Sequence, residues 1–275
     1  MEGESTVNAV DTQLGFWVNN YNDPSFSAIA NTNIELVAVP GNHEMLYYNT
    51  SDDKEYPLAG TIEVWMQHMA PYMPADRDRV GGPDSVINQA TFAFTRHNTG
   101  FIVMNTDTYN PPTSEAPYGT EGQAPYNWIN AKVAEYKADA SIEHIFVLGH
   151  KPYYVNCQPD TGHGGFADGP EIWPTLEANH VEAMLSAHMH HYQRCQPGDT
   201  GTYQIIAGNG GTDDNTLFFG YSLIHIMDNG EVQLESRGFK TGTPYYSTEP
   251  NEPWEVKDST TLTWTANGNP WPISQ

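Results

Sequence analysis

The strongest constraint on the fold of this chain is a recurring pattern in which a short apolar run ends directly in a polar segment that contains histidine. The pattern occurs at residues 34–44 (IELVAVPGNHE), 145–152 (IFVLGHKP) and 181–191 (VEAMLSAHMHH). Short apolar runs bounded by Gly or Pro predict buried strands. Ligands in layered α/β folds bind at the carboxyl ends of strands, so the three polar segments are predicted to converge on one site.

The rest of the pattern alternates helices with strands in the middle of the chain and is dominated by strands after it. Helices are predicted at 61–69, 125–137 and 170–179, and strands at 34–39, 90–95, 101–104, 145–148, 181–185, 203–207, 221–226 and 231–235. Such an order indicates an α/β layered domain with mixed sheets. We predict one domain over residues 1–245, followed by a tail at 246–275 that forms loops or an edge strand of the same domain.

The charge balance restricts the partners of the chain. The formal charge is −23, from 34 acidic residues against 11 Lys plus Arg. This surface repels nucleic acid and anionic membranes, so neither is an expected partner. No apolar run is long enough to span a membrane, and the acidic start at residues 1–4 is not a signal peptide, although one can have been removed. The balance suits a secreted or periplasmic protein; a merely acidic protein is the alternative.

The two cysteines each lie a few residues after one of the histidine segments. If those segments converge, the thiols of Cys157 and Cys195 come close enough for a disulfide, which would indicate an oxidising compartment. Two separate free thiols are the alternative.

The side chains at the strand ends are suited to metal binding. The carbonyl of Asn42 is a hard oxygen ligand, and the adjacent His43 can protonate a leaving group or stabilise developing charge. A neutral imidazole such as that of His150 is a good ligand for zinc, manganese or iron. His188 and His190, two residues apart, can reach different ions if the backbone turns between them. Taken singly, each segment is also typical of an ordinary turn or a polar loop.

In this order, the segments GNHE, GHKP and AHMHHYQR resemble the last three motifs of the calcineurin-like metallophosphoesterases. The stretch HIFVLGHKPYY followed by HxHxYxR is similar to the purple acid phosphatase branch in particular. The resemblance covers roughly residues 34–211, and Ala187 departs from it where the family has Gly. It implies a layered β-sandwich of mixed sheets flanked by helices, and metal-dependent hydrolysis of a small phosphomonoester or diester by an activated water.

The resemblance also implies roles for individual residues. Asn42, His150 and His188 would bind one ion (Mn, Zn or Fe) and His190 the other. His43 would be the proton donor or would stabilise the transition state.

The beginning of the chain departs from the family. The family opens with an Asp-x-His or Asp-x-Gly strand and a Gly-Asp motif that bridges two ions, whereas here Asp-x-His is absent and the other two patterns occur only after GNHE. We therefore expect the first strand to be absent. Glu4 is the candidate bridging ligand, with a terminus that has no metal role as the alternative. One ion would be firmly held, and a second weakly or not at all.

Two further residues are candidates for substrate binding. His163 would line the substrate mouth, with a solvated loop as the alternative, and Arg194 would contact a phosphate, with a structural role as the alternative. In the family the missing strand lies inside a sheet, so another segment, a rearranged N-terminus or a partner chain must cover the edge that its absence leaves; a homodimer through that edge is the last of these alternatives. Two other readings stay open, namely a non-catalytic remnant that binds metal or phosphate, and an incomplete chain whose missing motifs precede Met1.

Overall fold

The computed structural model describes residues 6–25, 32, 34–49, 51, 54–80, 90–107, 124–199, 201–211, 217–240 and 254–263. The helices in this part of the chain are α1 (Val7–Asn22), α2 (Asn42–Met45), α3 (Thr61–Met69), α4 (Tyr126–Ala138) and α5 (Gly169–Ala178). Short 3-10 turns lie at Ala70–Tyr72 and Pro197–Asp199. The strands are β1 (Leu46–Asn49), β2 (Lys54–Pro57), β3 (Asp78–Arg79), β4 (Phe92–Arg96), β5 (Thr99–Met104), β6 (His144–Gly149), β7 (Tyr154–Val155), β8 (Gln158–Pro159), β9 (Ala183–Ser186), β10 (Tyr192–Cys195), β11 (Tyr203–Ala207), β12 (Phe218–Ile226), β13 (Val232–Lys240) and β14 (Glu255–Thr261).

The centre of the fold is a mixed seven-stranded sheet in the order β10-β11-β9-β6-β5-β4-β3. Four consecutive strands, β11, β9, β6 and β5, are parallel to one another. The strands β10, β4 and β3 pair antiparallel with their neighbours. This mixed sheet flanked by helices confirms the predicted fold class. Because β5, β6 and β9 run in one direction, the segments that follow them emerge at the same edge of the sheet.

The two faces of the sheet bury different layers, as the period of two along a strand requires. On β6, Ile145 and Val147 point into the cluster that contains residues of α4 and α5. The intervening Phe146 points to the other face, where it joins Phe218 and Leu234 of the antiparallel sheet β12-β13-β14. The layers are therefore helices, large sheet and small sheet.

Helices α1 and α3 cover the β3–β5 side of the sheet. Val10 and Leu14 of α1, four residues apart on one helix face, pack in a cluster with Trp65 of α3 and Phe92 of β4. The first turn of α1 is capped by Thr6, whose hydroxyl oxygen accepts a hydrogen bond from the Ala9 amide at 3.2 Å. The sequence analysis did not predict α1. No helix among the described residues has both the length and the apolar character needed to cross a bilayer.

Most predicted elements form within a few residues of their expected bounds. The helix at 61–69 has the predicted bounds, and the predicted hairpin is present as β4 and β5, with Thr95 opposite Gly100. The predicted strand at 34–39 is wrong, because residues 34–40 form no ladder with any described strand. Residues 37–39 are half-buried against the cluster of α1 and α3. An apolar run indicates that a segment is buried, whereas a strand also needs a neighbouring strand to pair with its backbone N–H and C=O groups.

Cys157 and Cys195 form a disulfide, with Cα atoms 5.6 Å apart. Cys157 lies with Asn156 in the two-residue turn between β7 and β8, and both residues have positive φ, as this kind of hairpin turn requires. Cys195 ends β10. The bond therefore joins the segment after His150 to the strand after His190, and of the two alternatives for the thiols the disulfide is the one observed.

Candidate metal centre

Three of the predicted ligands lie together at the carboxyl edge of the large sheet. His150 directly follows β6, and His188 comes two residues after the adjacent parallel strand β9. The amide of Ala187 donates to the carbonyl of His150 at 2.9 Å and so holds the two segments side by side. Asn42, the first residue of the short helix α2, approaches from the other chain segment and is buried.

The metal-binding atoms of these residues converge. Nε2 of His150 lies 3.0 Å from Oδ1 of Asn42 and 3.2 Å from Nδ1 of His188. Nε2 of His188 lies 2.9 Å from the backbone carbonyl of His163. A carbonyl only accepts, so Nε2 of His188 carries a proton and, in the neutral ring, Nδ1 presents its lone pair towards His150.

The protonation state of His150 and His188 is suited to binding a cation. Burial lowers the pKa of His150 to about 3, and the nearby imidazole of His188 and ammonium of Lys151 lower it further. Burial, followed by Lys151, also lowers the pKa of His188 to about 3. Both rings are therefore neutral near pH 7, as metal ligands must be.

The donor set fits a transition metal ion. One amide oxygen and two imidazole nitrogens are ligands that zinc, manganese and iron accept. Ligands about 2.1 Å from a common ion lie about 3 Å from one another, which matches the spacing of these atoms. The described residues contain no group of three or more His, Cys, Asp or Glu side chains that could hold an ion. In the converging set, the oxygen ligand is the side-chain carbonyl of Asn42.

Glu55 is a contact of this site that the sequence analysis missed. It lies on β2, and its Oε1 accepts a hydrogen bond from Nδ2 of Asn42 at 3.0 Å. Its side chain is 11% exposed. Nothing in the local sequence marks this glutamate, because the β1-β2 hairpin contains no motif and is brought to the site by folding.

A buried ion pair between Lys151 and Asp107 lies next to the histidines. Both side chains are fully buried, and Nζ of Lys151 lies 3.2 Å from Oδ1 of Asp107. Burial raises the pKa of Asp107 to about 6, against the lowering effect of Lys151. The amide of Lys151 also donates to the hydroxyl of Thr106 at 3.1 Å. Residues 105–107 (NTD) follow the predicted strand β5, so the strand-end rule was a signal that could have found Asp107.

His43 is partly buried beside Asn42. Its Nδ1 is buried and has no hydrogen-bond partner among the residues that the structure describes. Burial lowers the pKa of His43. The charge of Glu55 raises this pKa, and the charges of His190 and His163 lower it. The next residue, Glu44, has a different task, because its carboxylate accepts from the amide of Gly41 at 2.8 Å and caps α2.

His190 and His163 lie at the exposed rim of the site. His190 is exposed, and its charge lowers the pKa of both His150 and His188. The His163 ring lies edge-on to His188, with centroids 5.2 Å apart, and its Nδ1 is 3.7 Å from Oε2 of Glu55. The loop of His163 is thus both solvated and adjacent to the predicted ligands.

Arg194 makes a different contact from the one predicted. Its Nε donates to Asp258 of β14 at 2.7 Å, and a terminal nitrogen donates to the other carboxylate oxygen at 3.2 Å. Both side chains are buried, and this ion pair supports the structural alternative. Glu4 lies outside the described residues.

Comparison with known proteins gives a family match and distant structural matches. The model of the calcineurin-like phosphoesterase family matches residues 10–192, a range that includes Asn42, His150, His188 and His190. None of the curated proteins matches this sequence.

Three solved structures are similar at low identity. A structure of PhoD has 13% identity and a TM-score of 0.46 over 78% of this chain and 49% of that one, so this chain spans about half of its length. GAP50, the anchor in the inner membrane complex of Plasmodium, has 12% identity and a TM-score of 0.44 over 96% of this chain and 86% of that one. A putative 5'-nucleotidase from Staphylococcus aureus, in complex with alpha-ketoglutarate, has 12% identity and a TM-score of 0.31 over 70% and 32%.

Proposed function

Because this chain belongs to the calcineurin-like phosphoesterase family, we propose that it hydrolyses a small phosphomonoester or phosphodiester with the help of a bound metal ion. The observation that carries the proposal is the convergence on Nε2 of His150, which lies 3.0 Å from Oδ1 of Asn42 and 3.2 Å from Nδ1 of His188. These atoms come from three separate segments of the chain and are all lone-pair donors. A cation bound between these atoms would be coordinated by all three lone pairs.

The three converging residues would hold one ion, manganese, zinc or iron, firmly. His190 would belong to a second site that holds an ion weakly or not at all, because its ring is exposed, whereas Asn42 is buried and His150 and His188 are half-buried. Glu4 stays the candidate bridging ligand. When bound, such an ion polarises phosphoryl oxygens and activates water for in-line attack.

The surrounding side chains have roles of their own in this proposal. His43 would donate a proton to the leaving group or stabilise the charge of the transition state. His163, at the rim, would contact the substrate as it enters. The protein carries a formal charge of −23, so it repels a phosphate ester in general. A cation held by Asn42, His150 and His188 would counter this repulsion locally.

The proposal is tested on chelator-stripped protein reloaded with manganese, zinc or iron. We expect one firmly bound equivalent per chain and turnover of a chromogenic aryl phosphate. His43→Ala should lower turnover by about 10²–10⁴-fold with unchanged metal content, which is the usual effect of losing a proton-transfer group. Two tightly bound equivalents would contradict the single-ion proposal.

A non-catalytic protein that binds metal or phosphate is the second candidate. It is favoured by the finding that the described residues hold no group of three or more His, Cys, Asp or Glu side chains able to bind an ion. Firm metal binding without turnover across monoesters and diesters would decide for this candidate.

We also propose a secreted or periplasmic location, because the Cys157–Cys195 disulfide is stable in an oxidising compartment. The acidic surface disfavours nucleic acid and anionic membranes as partners, and the family match supports a small phosphate ester. The proposed homodimer is tested by sedimentation at micromolar concentration, where monomeric behaviour would count against it.

A further inference from the structure

The amide of Asn42 has two ends, and only one of them can bind a cation. Its Nδ2 faces Oε1 of Glu55 at 3.0 Å, and its Oδ1 faces Nε2 of His150 at 3.0 Å. An ionised carboxylate accepts hydrogen bonds and cannot donate them, so it requires the NH2 end of the amide to face it. Glu55 therefore determines that the oxygen end faces the histidines.

The carboxylate of Glu55 is itself held in place. It lies on β2 of the β1-β2 hairpin, where Glu55 is paired with Tyr48. Its second oxygen lies 4.0 Å from Nζ of Lys151 and 3.7 Å from Nδ1 of His163. Lys151 in turn lies 3.2 Å from Asp107. A series of polar contacts thus runs from the buried Asp107 through Lys151 and Glu55 to Asn42.

We propose that Glu55 is a positioning residue of the metal centre, which fixes the amide of Asn42 so that its oxygen is presented to the ion. This inference rests on the proposed metal site. The torsion that turns an asparagine amide is broad, so an amide without this partner can also present its NH2 end, which repels a cation. Glu55 would act through Asn42, and its loss would lower the affinity for the metal before it affects any chemical step.

Two substitutions at position 55 separate the hydrogen bond from the charge. Glu55→Ala removes the acceptor, and we expect the affinity for manganese to fall about 10–100-fold, as for other partners that orient a metal ligand. Glu55→Gln removes the charge but keeps an oxygen that accepts from Asn42. Its affinity should stay within about threefold of the unmodified chain, well below the 10–100-fold loss expected for Glu55→Ala.

The chain offers a matched control in Glu182. Its carboxylate lies 2.9 Å from Nδ1 of His144, and its side chain is 14% exposed, similar to Glu55. His144 begins β6, whereas His150 follows the end of this strand, so the pair lies at the opposite edge of the sheet. Glu182→Gln should leave the affinity for manganese unchanged.

The experiment is a calorimetric titration of the chelator-stripped full chain with manganese, with circular dichroism to verify folding of each variant. The inference would be supported by a reduced affinity for manganese in Glu55→Ala, a near-normal affinity in Glu55→Gln and an unchanged affinity in Glu182→Gln. Equal losses in Glu55→Ala and Glu55→Gln would overturn it, because the charge rather than the hydrogen bond would then matter.

The variant Asn42→Ala separates failure of this inference from failure of the proposed centre. If Asn42→Ala loses affinity while Glu55→Ala does not, the positioning role is overturned and the metal centre stands. If the unmodified chain binds no manganese, or Asn42→Ala binds it as tightly, both are overturned.

Discussion

Gly41 lies directly against the imidazole of His150. A β-carbon at position 41 would be 2.9 Å from both Cε1 and Nδ1 of that ring, closer than real β-carbons approach. The φ angle of Gly41 is −113°, which any residue can adopt. The glycine is therefore required by the space that the ring occupies and not by the backbone conformation.

We expect Gly41→Ala to displace the His150 ring and to lower the affinity for manganese by about tenfold or more, since a ligand that is moved no longer meets its partners. Gly210→Ala is a matched control, because a β-carbon there meets nothing within 4 Å. The measurement is a manganese titration of both variants. Equal affinities in the two would show that the contact with Gly41 has no part in ligand placement.

The pair of Arg194 and Asp258 is predicted to contribute to stability. The carboxylate also accepts from the Tyr192 hydroxyl at 2.7 Å, so Asp258→Ala leaves two buried groups of β10 without their partner. We expect the free energy of unfolding to fall by about 3–5 kcal/mol, the usual cost of a buried charge left alone. Urea unfolding measures this. On the same strand, Glu255→Ala removes an exposed partner of Lys257 and should leave the midpoint unchanged.

Removal of the disulfide should lower stability. The bond closes a loop between residues 38 apart, for which the loss of chain entropy in the unfolded state corresponds to about 4 kcal/mol. We expect the double variant Cys157→Ser, Cys195→Ser to be less stable by about 2–4 kcal/mol in urea unfolding. Reductant should destabilise the unmodified chain and leave the double variant unchanged. Equal sensitivity of both proteins to reductant would contradict this.

Asp107 is predicted to make stability dependent on pH. Its pKa in the folded chain is about 6, raised by burial from 3.8, so the folded state retains this proton to a higher pH than the unfolded state does. The free energy of unfolding therefore falls as pH rises from about 4 to 6, by up to about 3 kcal/mol. In Asp107→Asn this fall should be absent, although the variant loses a partner of Lys151. The measurement is urea unfolding of both metal-free proteins across this range, and parallel pH profiles would contradict the assignment.

Much of the fold was predictable because its signals are local. The helix at 61–69 and the hairpin of β4 and β5 follow from the spacing of apolar residues and from a turn, which involve neighbours in the chain. The run at 34–39 was misread, since its apolar character reflects packing against α1 and α3 without a strand partner. Pairing depends on a second segment, which no local pattern reports.

The order of polar motifs at strand ends determined which residues would meet. Together with the family resemblance it predicted that Asn42, His150 and His188 come together, and the structure places Oδ1 of Asn42 and Nδ1 of His188 each within hydrogen-bonding distance of Nε2 of His150. It did not predict the partners of these residues. Glu55 reaches Asn42 from a hairpin without a motif, and the opposite charges of Lys151 and Asp107 pair in the interior.

The sequence by itself determined the layered mixed-sheet fold and the identity of the converging side chains. The shared direction of β6 and β9 carries the motifs of His150 and His188 to the same edge, whereas Asn42 reaches it without a preceding strand. Only the tertiary structure decided which way the Asn42 amide faces, that Arg194 pairs with Asp258, and that the cysteines are joined. Each of these depends on a buried polar group finding a partner from a distant segment. That requirement is satisfied by the packed chain as a whole, and no local pattern contains it.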